Sequence, residues 1–315
     1  YIQTVSDDES SSEVVRWLNY YGHTDCLIEI NDFYDIESVK LLVSDNDVIV
    51  DFNQHTVSEK DKYWYRRGML NFFTQCKSEY PSVNTYLWNK HVAPVKTFLE
   101  SLNFTSNINC ASDNFLEKMN VLYNCKHLGI NIPATLVTSS KSDLEEFAKK
   151  FGKIITKSTV APLGNAIING KEYRFSSSTV LLNDYKIAKL PASFVPSLFQ
   201  EYIEKKYEIR SFFLDDKIYS MAIFSQNNKK TQVDFRNYDS DNPNRNVPYK
   251  LPLWYEKKLL KLYRQLKLTS GSADIIVTPD YQYVFLEVNP IGQFGWLSRN
   301  CNYHLEKTIA DYLLK

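Results

Sequence analysis

Between Glu13 and Tyr21 apolar residues recur every three or four positions, placing Val14, Trp17, Leu18 and Tyr21 on one stripe beside Val15 and predicting an amphipathic helix. Short apolar runs at Tyr1–Ser6, Cys26–Ile30, Val39–Val43 and Asp47–Val50 read as strands. Lys60–Tyr80 and Val83–Leu102 read as helices, separated by Pro81. This strand–helix–strand opening predicts a small α/β unit over residues 1–106.

The pattern changes after residue 106. Asp113–Leu128 predicts a helix stopped by Gly129, and Ile130–Thr138 an extended segment. Ser142 is placed to cap a helix at Asp143–Phe151, with Glu145 at capping-box spacing, and Lys153–Lys157 follows Gly152 as a strand. From Leu198 onward strict alternation dominates, in Phe199–Ile203, Glu208–Leu214, Lys217–Phe224, Ala273–Val277 and Tyr283–Val288. Such runs predict an antiparallel core covered by a helix at Tyr255–Leu266, with the polar stretch Asn227–Asn246 as a surface loop. The expected fold class is α/β and α+β, divided as 1–106, 107–197 and 198–315.

Composition narrows the function. Lys plus Arg and Asp plus Glu are both 37, so the basic surplus that nucleic-acid binding needs is missing. No apolar run approaches the roughly 20 residues of a membrane span, and no signal-peptide core opens the chain. Five dispersed cysteines without a C-x-x-C pair suggest reduced thiols and a cytoplasmic location. Neither the histidine spacing of a zinc site nor a glycine loop for dinucleotides or phosphates occurs.

The most informative stretch is Ala273–Gly292. A turn at Thr278–Gln282 joins two apolar strands, and pairing about its centre sets Asp274 opposite Glu287, with Asn289 on the same face. Facing acids repel unless a cation neutralises them, and an oxygen-only donor set favours Mg²⁺. The alternative is a solvated face on which Pro290 and Gly292 merely end a strand; against it, both acids interrupt runs that read as buried. Lys157 at a strand end and Lys118 in the middle of its helix are each ordinary alone. With the strand-to-loop transition at Glu201–Ile203, and with Glu208 and Arg210 on one strand face, they suggest a nucleotide site without glycine loops.

In this order of motifs the chain from about residue 107 to residue 314 resembles the ATP-grasp superfamily. The resemblance implies that Lys118 and Lys157 hold ATP phosphates, the Glu201 and Ile203 backbone contacts adenine, Glu208 binds ribose, and Asp274, Glu287 and Asn289 bind Mg²⁺. Ile291 stands where the carboxylase branch has arginine, which argues against carboxyphosphate chemistry. WLNYYG, WYRRG, SQNNKKTQVDFRNY and FLEVNPIGQFGW extend the likeness to graspetide (microviridin-type) peptide maturases, most closely the grasp-with-spasm subgroup. Such enzymes use ATP to turn a side-chain carboxylate of a ribosomal precursor into an acyl phosphate that a hydroxyl or amine attacks. A ligase joining Asp or Glu to Thr or Ser as an ω-ester, or to Lys as an ω-amide, is therefore expected, the ester being favoured on resemblance alone.

Arg210 is expected to stabilise developing charge, and Arg236 and Lys230 to hold the acceptor carboxylate, each against a plain structural role. Gln293 orients substrate or caps its turn; Arg66 and Arg67 stack structurally or line the peptide path; His304 is structural. The implied cofactors are ATP and Mg²⁺, and the implied partners a leader-plus-core precursor peptide and a second copy in a homodimer. Rival expectations are an ATP-grasp carboxylate–amine ligase acting on free amino acids or protein tails, and a degenerate, non-catalytic binding protein.

Overall fold

A computed structural model describes residues 1–24, 29–31, 33–45, 47–58, 60–72, 78–101, 108–158, 163–176, 179–228, 230–232, 234–235 and 239–315. Its centre is an antiparallel sheet whose strands run in the spatial order Arg245–Tyr249, Lys217–Phe224, Tyr207–Leu214, Ser270–Val277, Tyr283–Asn289. Every residue of Tyr207–Leu214 and of Ser270–Val277 is buried, because both faces of the sheet are covered. The two-residue period of a strand assigns the faces. Ile209, Phe213, Ala273 and Ile275 pack against Tyr255, Leu259 and Tyr263 of the helix Leu253–Gln265. Phe212, Leu214, Met221 and Ile223 pack the other way, against Ile2, Val14, Leu18 and Trp64 of the N-terminal unit and Leu297 and Ile309 near the C-terminus. The N-terminal unit therefore shares its core with the central sheet.

A second antiparallel sheet orders its strands Val180–Leu182, Ile154–Lys157, Ser193–Glu201, Thr135–Ser140. The helix Lys141–Phe151 covers it, with Leu144, Ile154, Ile187 and Phe199 as core, and a hairpin of Leu163–Ile168 and Lys171–Ser176 stands beside it. Within the N-terminal unit, Ile2–Thr4 lies parallel between Glu29–Asn31 and Trp64–Tyr65, next to an antiparallel meander of Val39–Val43, Val48–Phe52 and His55–Ser58.

Most expected elements form, with informative exceptions. Helix was expected across Lys60–Tyr80, whereas Trp64–Tyr65 and Met69–Asn71 are strands; Arg66 between them, 1% exposed, is buried rather than on a solvated helix face. The predicted helix at Asp113–Leu128 is split into a tight turn at Ala111–Phe115, where the Asp113 carboxylate accepts from the Cys110 amide at 2.7 Å, and the helix Lys118–His127. Lys118 consequently opens that helix instead of standing in its middle. Ser140, not Ser142, caps the next helix by accepting from the Asp143 amide. The strand Ser193–Glu201 runs through the boundary expected before Leu198 and belongs wholly to the second sheet. Cys110, Cys125 and Cys301 are free and buried, while Cys26 and Cys76 lie outside the described residues.

Within the N-terminal unit lies a buried ion pair, Arg66 Nε to Asp8 Oδ2 at 2.9 Å. Burial pushes the Asp8 carboxyl up, but the charge and hydrogen bond of Arg66, with Ser11 and Arg67, outweigh it and hold the group below its ordinary 3.8. A lowered carboxyl pKa gives stability that is present above the unfolded value and lost as pH falls through the folded one. Asp8→Asn should therefore lower stability at neutral pH and flatten the loss of stability below about pH 4. Urea unfolding from pH 7 to pH 3 checks this; parallel pH profiles for the two proteins would refute it.

Candidate active site

The face of the central sheet that carries the acids lines a cleft together with the second sheet. Its lining includes Lys157, Gln200, Glu201 and Ile203 on one side and Lys205, Glu208, Asp274 and Glu287 on the other.

Asp274 and Glu287 are register partners, as the hairpin arithmetic predicts. Toward the turn the pairing slips by one residue between Asp274 and Ile275, a bulge beside the two acids. Each acid meets cations. Arg210, the register partner of Asp274 on its other side, places Nη1 2.8 Å from both carboxylate oxygens. Lys157 Nζ lies 3.4 Å and Lys118 Nζ 3.5 Å from Glu287 Oε2. Lys118 also donates to the Ser158 carbonyl at 2.9 Å, which fixes its reach from the start of its helix. The strand lysine, the helix lysine and the hairpin acid thus meet at one point. Asn289 Oδ1 accepts from the amides of Ile291 and Gly292 at 3.1 and 3.4 Å, so its amide is oriented by the turn that follows it.

Among the described residues no three His, Cys, Asp or Glu side chains cluster as a metal cage. The donors here are two carboxylates and an amide oxygen, which suits a hard ion that completes its shell with phosphate oxygens and water. Arg210 Nε is buried and has no partner among the described residues, a donor that fits an anionic oxygen. The residues present fit Mg²⁺ and a phosphate-bearing ligand.

Glu201 and Ile203 line the cleft where the strand Ser193–Glu201 ends, and the Glu201 side chain accepts from the Ala134 amide at 3.3 Å. Glu208 accepts at Oε1 from Lys205 Nζ and from Ser225 Oγ, both at 2.8 Å. Burial raises the Glu208 carboxyl above its ordinary value, and Lys205 and Ser225 offset this only in part. Gln293 Oε1 receives Arg66 Nη2 at 3.4 Å, beyond the turn rather than on the cleft lining. Lys230 is exposed and pairs with the buried Asp239 at 3.3 Å, an arrangement that stabilises its loop. Arg236 lies outside the described residues. Arg66 is buried with its guanidinium 5.1 Å over the Phe294 ring, while Arg67 is one-third exposed on a second cleft with Gln293, Trp296 and Arg299. His304 precedes the last helix in a left-handed conformation, a structural position.

Sequence reading missed four residues of this site. Lys205 looks like any lysine three positions from an acid, yet it is buried on Glu208. Gln200 is 1% exposed and lines the cleft; its Nε2 donates to Thr135, while Oε1 lacks a partner among the described residues. Asp234 is likewise buried on the lining. Asn109 donates to the carbonyls of Ser270 and Pro290 at 2.8 and 2.9 Å and accepts from Thr269 and Ser270, tying together the two strand ends beneath Asn289. No local pattern marks any of these, since each acts through a partner distant in sequence or through burial.

No protein-family model and no curated protein matches the chain. Among solved structures, the macrocyclase MdnC from Microcystis aeruginosa MRC, bound with precursor peptide MdnA, is 25% identical over 100% of this chain and 99% of its own, with a TM-score of 0.74. A RiPP-associated ATP-grasp ligase from Chryseobacterium gregarium, in complex with ADP and a leader and core peptide, has a TM-score of 0.76 at 23% identity over 99% and 95% of the two chains. The ATP-grasp ligase PsnB, complexed with minimal precursor, Mg and ADP, follows at 0.68 and 17%, covering 99% and 95%.

Removing the Glu208 charge should expose how the buried Lys205 is balanced. Glu208→Gln leaves Lys205 buried without its counter-charge and should cost roughly 3–5 kcal/mol of stability. Adding Lys205→Met should restore most of it, read as urea midpoints in a double-mutant cycle; additive losses would show that the pair is not coupled. From end to end, the chain has the fold of an ATP-grasp ligase of the peptide-macrocyclase kind.

Proposed function

We propose that the protein is an ATP- and Mg²⁺-dependent peptide macrocyclase that activates Asp or Glu side chains of a ribosomal precursor peptide and joins them to Thr or Ser hydroxyls, or to Lys amines. The observation that carries this reading is the meeting of Lys118 and Lys157 on Glu287, beside Arg210 on Asp274. A carboxylate is a poor electrophile because its leaving oxygen is too basic. Phosphoryl transfer to it gives an acyl phosphate, and for that step a protein supplies position and charge rather than covalent chemistry.

In this reading Lys118 and Lys157 turn from Glu287 to the phosphates of ATP. The linker at Glu201–Ile203 and the acceptor oxygen of Gln200 read the adenine amino group, and Glu208 takes the ribose hydroxyls. Asp274, Glu287 and Asn289 would hold Mg²⁺, which neutralises phosphate charge when bound. Arg210 offers its Nε–H to the transferred phosphoryl group or the later oxyanion, where a fixed donor lowers the barrier. Arg236 and Lys230 hold the incoming carboxylate, and Gln293 orients it. Ester formation is preferred over amide, and a homodimer acting in the cytoplasm belongs to the same proposal, on resemblance alone.

The test is mass spectrometry of the precursor peptide after incubation with enzyme, ATP and Mg²⁺, expecting the loss of one water per crosslink. Glu287→Gln should slow dehydration at least about 100-fold with the fold intact, the scale of losing a charge-stabilising group. Lys157→Ala should weaken ATP-analogue binding by roughly 1.5–3 kcal/mol, whereas Arg210→Ala should lower turnover more than affinity. ATP turnover on free amino acids without precursor would point instead to a carboxylate–amine ligase.

A further inference from the structure

The turn after Asn289 is gripped from two sides. Its amides at Ile291 and Gly292 point to Asn289 Oδ1. Its carbonyls at the same two residues accept from Arg66 Nη1, the second at 3.3 Å. Arg66 also donates to Gln293 and, through Nε, to Asp8 at 2.9 Å. Nor can the turn relax by sliding toward the sheet. Gly292 has a φ of +53°, and a Cβ there would sit 2.8 Å from the Gly271 carbonyl carbon and 2.9 Å from the Ser272 nitrogen. Asn109 holds the Pro290 carbonyl from below.

The two turn amides that donate to Asn289 Oδ1 set the orientation of its side-chain amide. Asn289 itself is exposed, at the end of a strand whose next acid is Glu287. Whatever fixes the turn therefore fixes the direction of this oxygen and the place of Gln293. An arginine 1% exposed, held in a fork between a carboxylate and two carbonyls, is a rigid support for that purpose. It comes from the N-terminal unit, more than two hundred residues away in sequence.

We propose that Arg66 is a positioning residue for the metal end of the site: by clamping the carbonyls of Ile291 and Gly292 it aims Asn289 and Gln293, and through Asp8 it makes the N-terminal unit part of the Mg²⁺–nucleotide site. This rests on the functional reading above. It separates Arg66 from neighbouring Arg67, which touches no part of the turn among the contacts described.

Calorimetric titration of ADP with and without Mg²⁺ tests it, on wild type, Arg66→Met, Arg66→Lys and Asp8→Asn, each first checked for cooperative unfolding. Arg66→Met should weaken the Mg²⁺-dependent part of ADP binding by about tenfold or more, the usual effect of losing an outer support of a metal ligand, and leave Mg²⁺-free ADP affinity unchanged. Arg66→Lys, which keeps the charge but not the fork, should recover only part of the loss. Asp8→Asn, which keeps Arg66 and frees its far end, should show a smaller loss of the same kind and serves if the Arg66 variants do not fold. Equal weakening with and without Mg²⁺, or none, would assign Arg66 a purely structural role and overturn the proposal. Absence of any Mg²⁺ dependence in wild type would instead overturn the metal site itself, and the positioning role with it.

Discussion

Two carboxylates held opposite each other on adjacent strands are the constraint on which the site depends. Asp274 and Glu287 are fixed by ladder register, so neither can move away from the other without breaking the hairpin. Their mutual repulsion, in a cleft of reduced dielectric, requires cations. The chain supplies them from three different elements: Arg210 from the neighbouring strand, Lys157 from the end of a strand in the second sheet, and Lys118 from the start of a helix. The relative placement of the two sheets is thereby linked to charge balance at one point.

The same central sheet explains why the N-terminal unit is not a separate module. Its strands Ile2–Thr4 and Trp64–Tyr65 and the helix Glu9–Tyr20 bury Ile2, Val14, Leu18 and Trp64 against Phe212, Met221 and Ile223. Burying an apolar side chain contributes about 1.5–3 kcal/mol, so four of them make a union that does not open casually. The Asp8–Arg66 pair adds direction to this non-directional contact, because its hydrogen bonds specify which turn the unit touches.

Much of this was legible in the sequence, for physical reasons that differ by element. Strands with a period of two and a centred turn determine register by arithmetic, so the Asp274–Glu287 pairing could be foreseen; the bulge beside it could not, since nothing local announces it. Lys118 and Lys157 were singled out by their order along the chain and do meet at Glu287, although Lys118 opens its helix because the expected helix breaks at Leu116–Glu117. Within Lys60–Tyr80, expected as helix, Arg66 in WYRRG reads as a polar position, whereas it is buried on a partner fifty-eight residues earlier. Lys205, Gln200 and Asn109 were invisible for a related reason, as their roles come from burial and long-range hydrogen bonds that no spacing encodes.

The charges of the cleft permit one more step. Lys118, Lys157, Lys205 and Arg210 stand against Glu201, Glu208, Asp234, Asp274 and Glu287, four cations to five carboxylates among the described residues. A cluster without a cationic surplus does not draw in a polyphosphate by net charge, and Lys118 and Lys157 are engaged with Glu287. On the reading proposed above, a divalent ion taken by Asp274, Glu287 and Asn289 would shift that balance and release Lys118, Lys157 and Arg210. Nucleotide and metal would then favour each other's binding, since each would remove the competitor for the other's ligands. Pairing cations with these acids limits uncompensated buried charge, and exchange of partners would be the event that assembles the proposed catalytic arrangement.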